Sequence, residues 1–240
     1  MHKDPAETVS FFKAFEALID ARARCDVVIC PPFLDLETAV GASRGTRIQI
    51  GAQNLHWARE GAYTGEISGP MISASGCSHV IVGHSERRRY FGETNESVSR
   101  KTLAALDTGL TPIVCIGEFE KKNASDVIAE QFRCSLSGLS VEQFARIVLA
   151  YEPFWAIGSG DVAAPAIAGE AHRFIRGQAE AMFGTEASKN IRLLYGGSVK
   201  PDNAAGLMVE SGIDGFLVGG ASLDAAGFAS IANLWIPPAA

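Results

Sequence analysis

"IVLAYEP" (147–153) is an apolar run of strand length that ends in a glutamate fixed against a proline. A continuous Ile/Val/Leu run without polar alternation suits a strand buried on both faces, as in a parallel sheet. Six other stretches share this form: "DVVICPP" (26–32), "RIQIGAQ" (47–53), "HVIVGH" (79–84), "PIVCIGE" (112–118), "IRLLYGG" (191–197) and "DGFLVGG" (214–220). Amphipathic segments separate them. The stretch 5–23 places Phe11, Phe12, Phe15, Leu18 and Ile19 on one helical stripe. The stretch 94–109 opens on a capping threonine and ends at Gly109, and 200–212 sets Pro201 in a first helical turn. No linker, charge block or low-complexity tract interrupts the repeat, so residues 1–240 read as a single α/β domain.

The order begins with a helix, and seven strands are visible. A (β/α)₈ barrel needs eight and is typically about 250 residues long. Periodicity leaves an open doubly wound sheet as the alternative. The polar residues and glycines favour a barrel: Gln53, Asn54, His84, Glu118, Glu152, Gly196, Gly197, Ser198, Gly219 and Gly220 all fall at carboxyl ends of strands, the catalytic face of that fold.

Composition narrows the function classes. Net charge is −6, which disfavours a nucleic-acid partner but not a small anion held by backbone amides. The five cysteines show no C-x-x-C spacing, which fits a reducing compartment and no zinc site, with Cys30 and Cys115 in core-packing positions. No apolar run approaches the ~18 residues of a membrane span. The opening "MHKDPAETVSFF" carries charge and proline where a signal peptide needs an apolar stretch, so the expected location is cytoplasmic.

Three motifs could carry chemistry. Glu152 stands beside the apolar segment Pro153-Phe154-Trp155-Ala156-Ile157, which is bounded by proline on one side and Gly158-Ser159-Gly160 on the other. Such a segment could close over the carboxylate, exclude water and raise its basicity. In "GHSERRRYFGE" (83–93), His84 follows a strand and Ser85 begins a helix, whose dipole disfavours imidazolium. A neutral imidazole there can donate to a substrate oxygen. Glu86 is either a second acid or part of an ion-pair network with Arg87 and Arg88; the network is the favoured role. Finally, "YGGSV" and "LVGGAS" place Gly-Gly after the last two strands, where barrels bind phosphate.

Taken together, "AYEPFWAIGSG", "VIVGHSERRRYFGE", "LLYGGSV", "DGFLVGGASL", "GAQNLHWAREGAYTGEIS" (51–68) and "GLTPIVCIGE" (109–118) closely resemble the triosephosphate isomerase family, in order, from about Met1 to Leu234. The resemblance implies a (β/α)₈ barrel that interconverts dihydroxyacetone phosphate and glyceraldehyde 3-phosphate without metal or organic cofactor. It implies that Glu152 is the base, His84 the neutral electrophile and Pro153 to Ser159 the closing lid. Gly158, Ser198, Gly219 and Gly220 match phosphate-gripping positions, and Leu217 would shield the base. Thr64 and Glu66 lie in a loop that reaches a partner subunit in the family, which implies a homodimer.

The chain also departs from the family pattern. The family opens with a strand ending Asn-x-Lys; Met1 and His2 align just after that lysine, and Lys3 falls too close to the first helix to replace it. Asp161 stands where a lysine often follows the lid, and 118–127 is shortened. The expectation is a barrel missing its first strand. Burying about five apolar residues is worth roughly 8–15 kcal/mol, comparable with the net stability of a domain. Either the natural protein is longer, which is the favoured reading because Glu152 and His84 are both present, or the chain is an impaired or non-catalytic relative. An isomerase of a four-carbon phosphosugar and a phosphate-binding barrel without turnover are the alternatives.

Overall fold

All seven apolar runs form strands in the computed structural model, which describes residues 1–21, 23–156 and 164–234. After α1 (Pro5–Leu18) come β1 (Val27–Ile29), α2 (Leu36–Ala42), β2 (Ile48–Ala52), α3 (Gly69–Ala74) and β3 (His79–Val82). Then follow α4 (Ser85–Tyr90), α5 (Asn95–Asp107), β4 (Thr111–Ile116), α6 (Ala124–Ser135), α7 (Val141–Phe144) and β5 (Val148–Tyr151). The chain continues through α8 (Pro165–Phe183), α9 (Thr185–Asn190), β6 (Arg192–Tyr195), α10 (Ala204–Met208), β7 (Gly215–Phe216) and α11 (Ala225–Ala232). The strands pair in parallel in the order β1-β2-β3-β4-β5-β6-β7. That is the winding of a barrel wall; a doubly wound sheet reverses direction at a switch point.

Alternation along the strands separates two layers. Val80, Val82, Val114, Ile116, Leu149, Tyr151, Leu193 and Tyr195 join the large core shared with the helices, whereas Ile81, Ile113, Cys115, Val148 and Ala150 form a second cluster inside the wall. Parity decides where Glu152 goes. It continues the 148-150 series, so its side chain emerges on the inner side of β5, above Cys115 and Ala150.

β1 and β7 each have a single hydrogen-bonded neighbour among the described residues. The helices close the ring where the strands do not. Phe15 on α1 stacks on Phe228 of α11 at 5.1 Å, and Asn233 bridges Leu18 O and the Asp20 amide at 2.9 and 2.8 Å. Val28, Ile29, Phe216 and Val218 are accordingly only partly buried, whereas β5 is buried throughout. Among the described residues, seven strands with two unpaired edges agree with a barrel lacking one strand.

Two helix readings need correction. The helix expected over 5–23 stops at Leu18, because Ile19 turns extended, and Leu18 is left 47% exposed rather than on the buried stripe with Phe11, Phe12 and Phe15. Its start is set by a capping box between Asp4 and Glu7, and Lys3 lies over the Phe11 ring at 5.1 Å. Pro201 is not in a first helical turn. Asn203 accepts from the Lys200 amide and donates to Ser198 O, which builds a side-chain-bonded turn and delays α10 to Ala204.

Behind β5 and β6, His172 of α8 is fully buried. Its Nδ1 lies 3.0 Å from Gly212 O and its Nε2 has no partner among the described residues. Burial pushes its pKa down to about 4, against the Gly212 hydrogen bond and Asp214, which favour the charged form. The folded protein therefore resists protonation at a site that protonates freely once unfolded. Stability from this group is complete above about pH 6.5 and is lost as pH falls towards 4, by about 3 kcal/mol in all. We expect denaturation midpoints to fall over that window, and His172→Gln to remove that part of the slope; an unchanged slope in the variant would exclude His172 as its source.

Candidate active site

His84 and Glu152 meet at the carboxyl ends of β3 and β5. Nε2 of His84 lies 2.9 Å from Glu152 Oε1. The Ser85 amide donates to Glu152 Oε2 at 2.9 Å, and Ser85 Oγ reaches Oε1 at 3.3 Å. Glu152 is 2% exposed, so three donors compensate a carboxylate almost withdrawn from water. Sequence reading treated Ser85 only as the start of a helix; its role as carboxylate partner depends on β3 and β5 being brought together, which no local pattern encodes.

The Glu86 amide donates to His84 Nδ1 at 3.3 Å. A ring that accepts at Nδ1 carries its proton on Nε2, the nitrogen facing Glu152. Burial lowers the proton affinity of His84. Here the hydrogen bond and charge of Glu152, with the charges of Glu86 and Glu93, outweigh burial, and the pKa is raised. The sequence expectation of a neutral ring rested on the helix dipole alone and did not include a carboxylate on Nε2.

Glu86 does not lead an ion-pair network. Its side chain is 62% exposed and stands 3.8 Å from His84 Nδ1. The network is built on Glu93, whose Oε1 accepts from Arg87 Nε at 2.5 Å and from Lys101 Nζ; Lys101 also donates to Asn54 Oδ1 at 2.8 Å. Burial would raise the Glu93 carboxyl, but Lys101 and Arg87 outweigh it and the net shift is downward. Its two charged partners come from α4 and α5, and Glu93, in the turn between them, faces both.

The carboxyl end of β5 is also anchored. The Glu152 amide donates to Ile116 O and the Phe154 amide to Glu118 O. Glu118, 2% exposed, accepts from Trp155 Nε1 at 2.7 Å and Tyr151 Oη at 3.0 Å. Its carboxyl is raised by burial, which these bonds only partly offset. Gly117 permits this packing: a Cβ there would fall 1.9 Å from Glu152 O. Glu118 was legible as a strand-end carboxylate but not as the clamp on the start of the expected lid. Phe154–Ala156 form one 3₁₀ turn, and Gly158 and Ser159 lie outside the described residues.

The Gly-Gly turns follow the adjacent strands β6 and β7. A Cβ on Gly196 would sit 2.9 Å from Glu152 Cγ and 3.6 Å from Leu217 Cβ, so Leu217 and the glutamate share one corner. Ser198 is half-buried, whereas Gly219 and Gly220 are exposed at the start of a 3₁₀ turn. Neither glycine's amide donates to a protein acceptor among the described residues.

A buried carboxylate and an imidazole thus stand at strand ends of one parallel barrel, beside glycine turns. The profile of the triosephosphate isomerase family matches residues 1–235. The chain belongs to the triosephosphate isomerase family. It is 57% identical over 237 residues to the triosephosphate isomerase of Solibacter usitatus, covering 97% of this chain and 95% of that protein. It is 48% identical to that of Caldanaerobacter subterraneus subsp. tengcongensis, with the same coverage. The crystal structure of triosephosphate isomerase from Bartonella henselae superposes with a TM-score of 0.85 at 38% identity, covering 96% of this chain and 93% of that one. In this member of the family no helix among the described residues is long and apolar enough to cross a membrane.

Proposed function

We propose that the chain interconverts dihydroxyacetone phosphate and glyceraldehyde 3-phosphate by proton transfer through an enediol(ate). The observation that carries this reading is the 2.9 Å pairing of His84 Nε2 with a buried Glu152 carboxylate beside two Gly-Gly turns. Glu152 leaves Ser85, takes a proton from the carbon next to the carbonyl, exchanges it with solvent while the intermediate is bound, and delivers a proton to the former carbonyl carbon. The electron pair of the broken C–H bond forms the enediolate double bond, the charge that develops on the carbonyl oxygen is met by the His84 Nε2–H, and the hydroxyl proton of the first carbon passes by way of His84 to that oxygen as the new carbonyl forms. Glu86 supports the ring through its backbone amide. Leu217 covers the base, and the lid that begins at Pro153 excludes water. Proton transfer beside a carbonyl needs no metal or organic cofactor. Run in D₂O, the reaction should place deuterium on carbon 2 of glyceraldehyde 3-phosphate. Conversion without deuterium, or preference for a four-carbon phosphosugar, would overturn the reading.

The phosphate grip is assigned to backbone amides at Ser198, Gly219 and Gly220, with Gly158 on the lid. Support comes from the amides of the two glycines, which have no acceptor among the described residues, and from the position of the turns after β6 and β7. A Cβ at Gly220 meets nothing within 4 Å and the residue lies inside a 3₁₀ turn, so Gly220→Val should fold normally while adding bulk at the turn. Losing one or two charge-assisted bonds should weaken binding of inorganic phosphate about tenfold or more. Unchanged affinity would place the grip elsewhere.

A homodimer through the Thr64/Glu66 loop completes the reading. Both residues are exposed; the loop is held by the His56 and Tyr63 rings at 4.2 Å and by the Glu66 amide on Tyr63 O, and it leaves Tyr63 and Met71 nearly half-exposed or more. The cytoplasm is its assigned location, in keeping with five free cysteines.

A further inference from the structure

Arg88 lies one turn into α4 and takes no part in the ion pairs around Glu93. Its guanidinium makes four hydrogen bonds: Nε to Gly83 O at 2.8 Å, Nη1 to Asn95 Oδ1 at 2.7 Å, and Nη2 to Cys115 O at 3.1 Å and Ser135 Oγ at 3.2 Å. Two acceptors are backbone carbonyls at the ends of β3 and β4; the other two lie on α5 and α6. We propose that Arg88 is a positioning residue for the isomerisation, tying the end of β3 to β4 so that His84 and Ser85 are held at the distance Glu152 requires. This rests on the isomerase reading.

The argument is geometric. His84 and Ser85 occupy the start of a six-residue helix, too short to hold its own orientation. Gly83, at φ 72°, turns the chain between β3 and that helix, and a Cβ there would meet Arg88 Nη2 at 3.1 Å. Arg88 thus reaches back from α4 to the carbonyl that immediately precedes His84. Those carbonyls lie where the strand ladder ends, and a buried donor must satisfy them. Catalytic groups need placement within about half an ångström, and a fork with several fixed donors achieves what a single ammonium does not.

Arg88 also brings charge. Burial lowers its proton affinity, while Cys115 on β4, Glu93 in the turn after α4 and Glu152 at the end of β5 favour the charged form. The groups directly around Glu152 are His84, Ser85 and Cys115. The guanidinium is a positive charge close enough to interact with Glu152, and Arg88→Met removes it.

Arg88→Met and Arg88→Lys test the proposal, each measured at matched folded concentration. Arg88→Met should lower kcat about 10²-fold with KM within about threefold, because the phosphate grip lies on other turns. The acid limb of its kcat/KM profile should move to higher pH. Arg88→Lys keeps the charge but not the fork, so the limb should stay in place while kcat still falls about tenfold. A merely structural arginine predicts lower melting temperatures with kcat and the acid limb unchanged, and that result would overturn the proposal. If Arg88→Met does not fold, the kcat of Arg88→Lys decides. Absence of turnover in the parent chain would count against the isomerase reading alone. The ring ¹⁵N resonances of His84 then decide for Arg88: its Nε2–H contact to Glu152 should be lost or weakened in Arg88→Met, and unchanged resonances would overturn the positioning role.

Discussion

Glu152→Gln should fold and lose at least about 10²-fold in turnover, the usual scale for removing a general base. The substitution keeps the shape of a side chain that is 2% exposed and no longer buries a charge. Its cost to the fold is small and identifiable. The Ser85 amide, Ser85 Oγ and His84 Nε2 present three donors, and an amide offers only one oxygen in place of two. The hydroxyl can rotate away, so the melting temperature should change by a few degrees at most. The rival account, a structural carboxylate that pins Ser85, predicts the reverse: lower stability with activity per folded molecule retained. Turnover and melting measured on the same preparations separate the two, and unchanged turnover would remove Glu152 from the mechanism.

A strand added ahead of Met1, about five apolar residues ending Asn-x-Lys, should raise turnover by at least about 10²-fold and the melting temperature by more than about 10 °C. β1 and β7 each lack a second partner among the described residues, while α1 and α11 already pack across the gap through Phe15 and Phe228. The place for a parallel strand is thus bounded on its outer side. Filling it buries apolar area worth roughly 8–15 kcal/mol as an upper bound and removes two exposed strand edges. The lysine would add a preorganised donor beside the phosphate and the developing enediolate. An extension with methionine in place of that lysine divides the two effects, since it should restore stability but not rate. Full activity in the 240-residue chain would mean that another group already supplies that charge.

The strands, their parallel class and the chemical face of the barrel were legible in the chain because each is a local property. Seven apolar runs ending in Gly, Pro or a polar residue need no knowledge of neighbours, whereas β5 is apolar on both faces and only the packed wall shows that the 148-150-152 series points inward. His84 was legible for the same reason, as a strand-end residue before a helix start. The errors arose where a distant partner decided the outcome. Leu18 is exposed because the helix stops at a turn secured by Asn233 from the far end of the chain. Glu86 was expected to hold Arg87, but folding turned Arg87 to Glu93, already shared with Lys101 of α5. The neutral state of His84 could not be argued from a helix dipole alone once a carboxylate 68 residues away in sequence lay on its Nε2. Periodicity and turn chemistry act over a few residues, so they are written in the chain. Hydrogen-bond partners and charge environments depend on groups brought together across it, and only the packed barrel sets them.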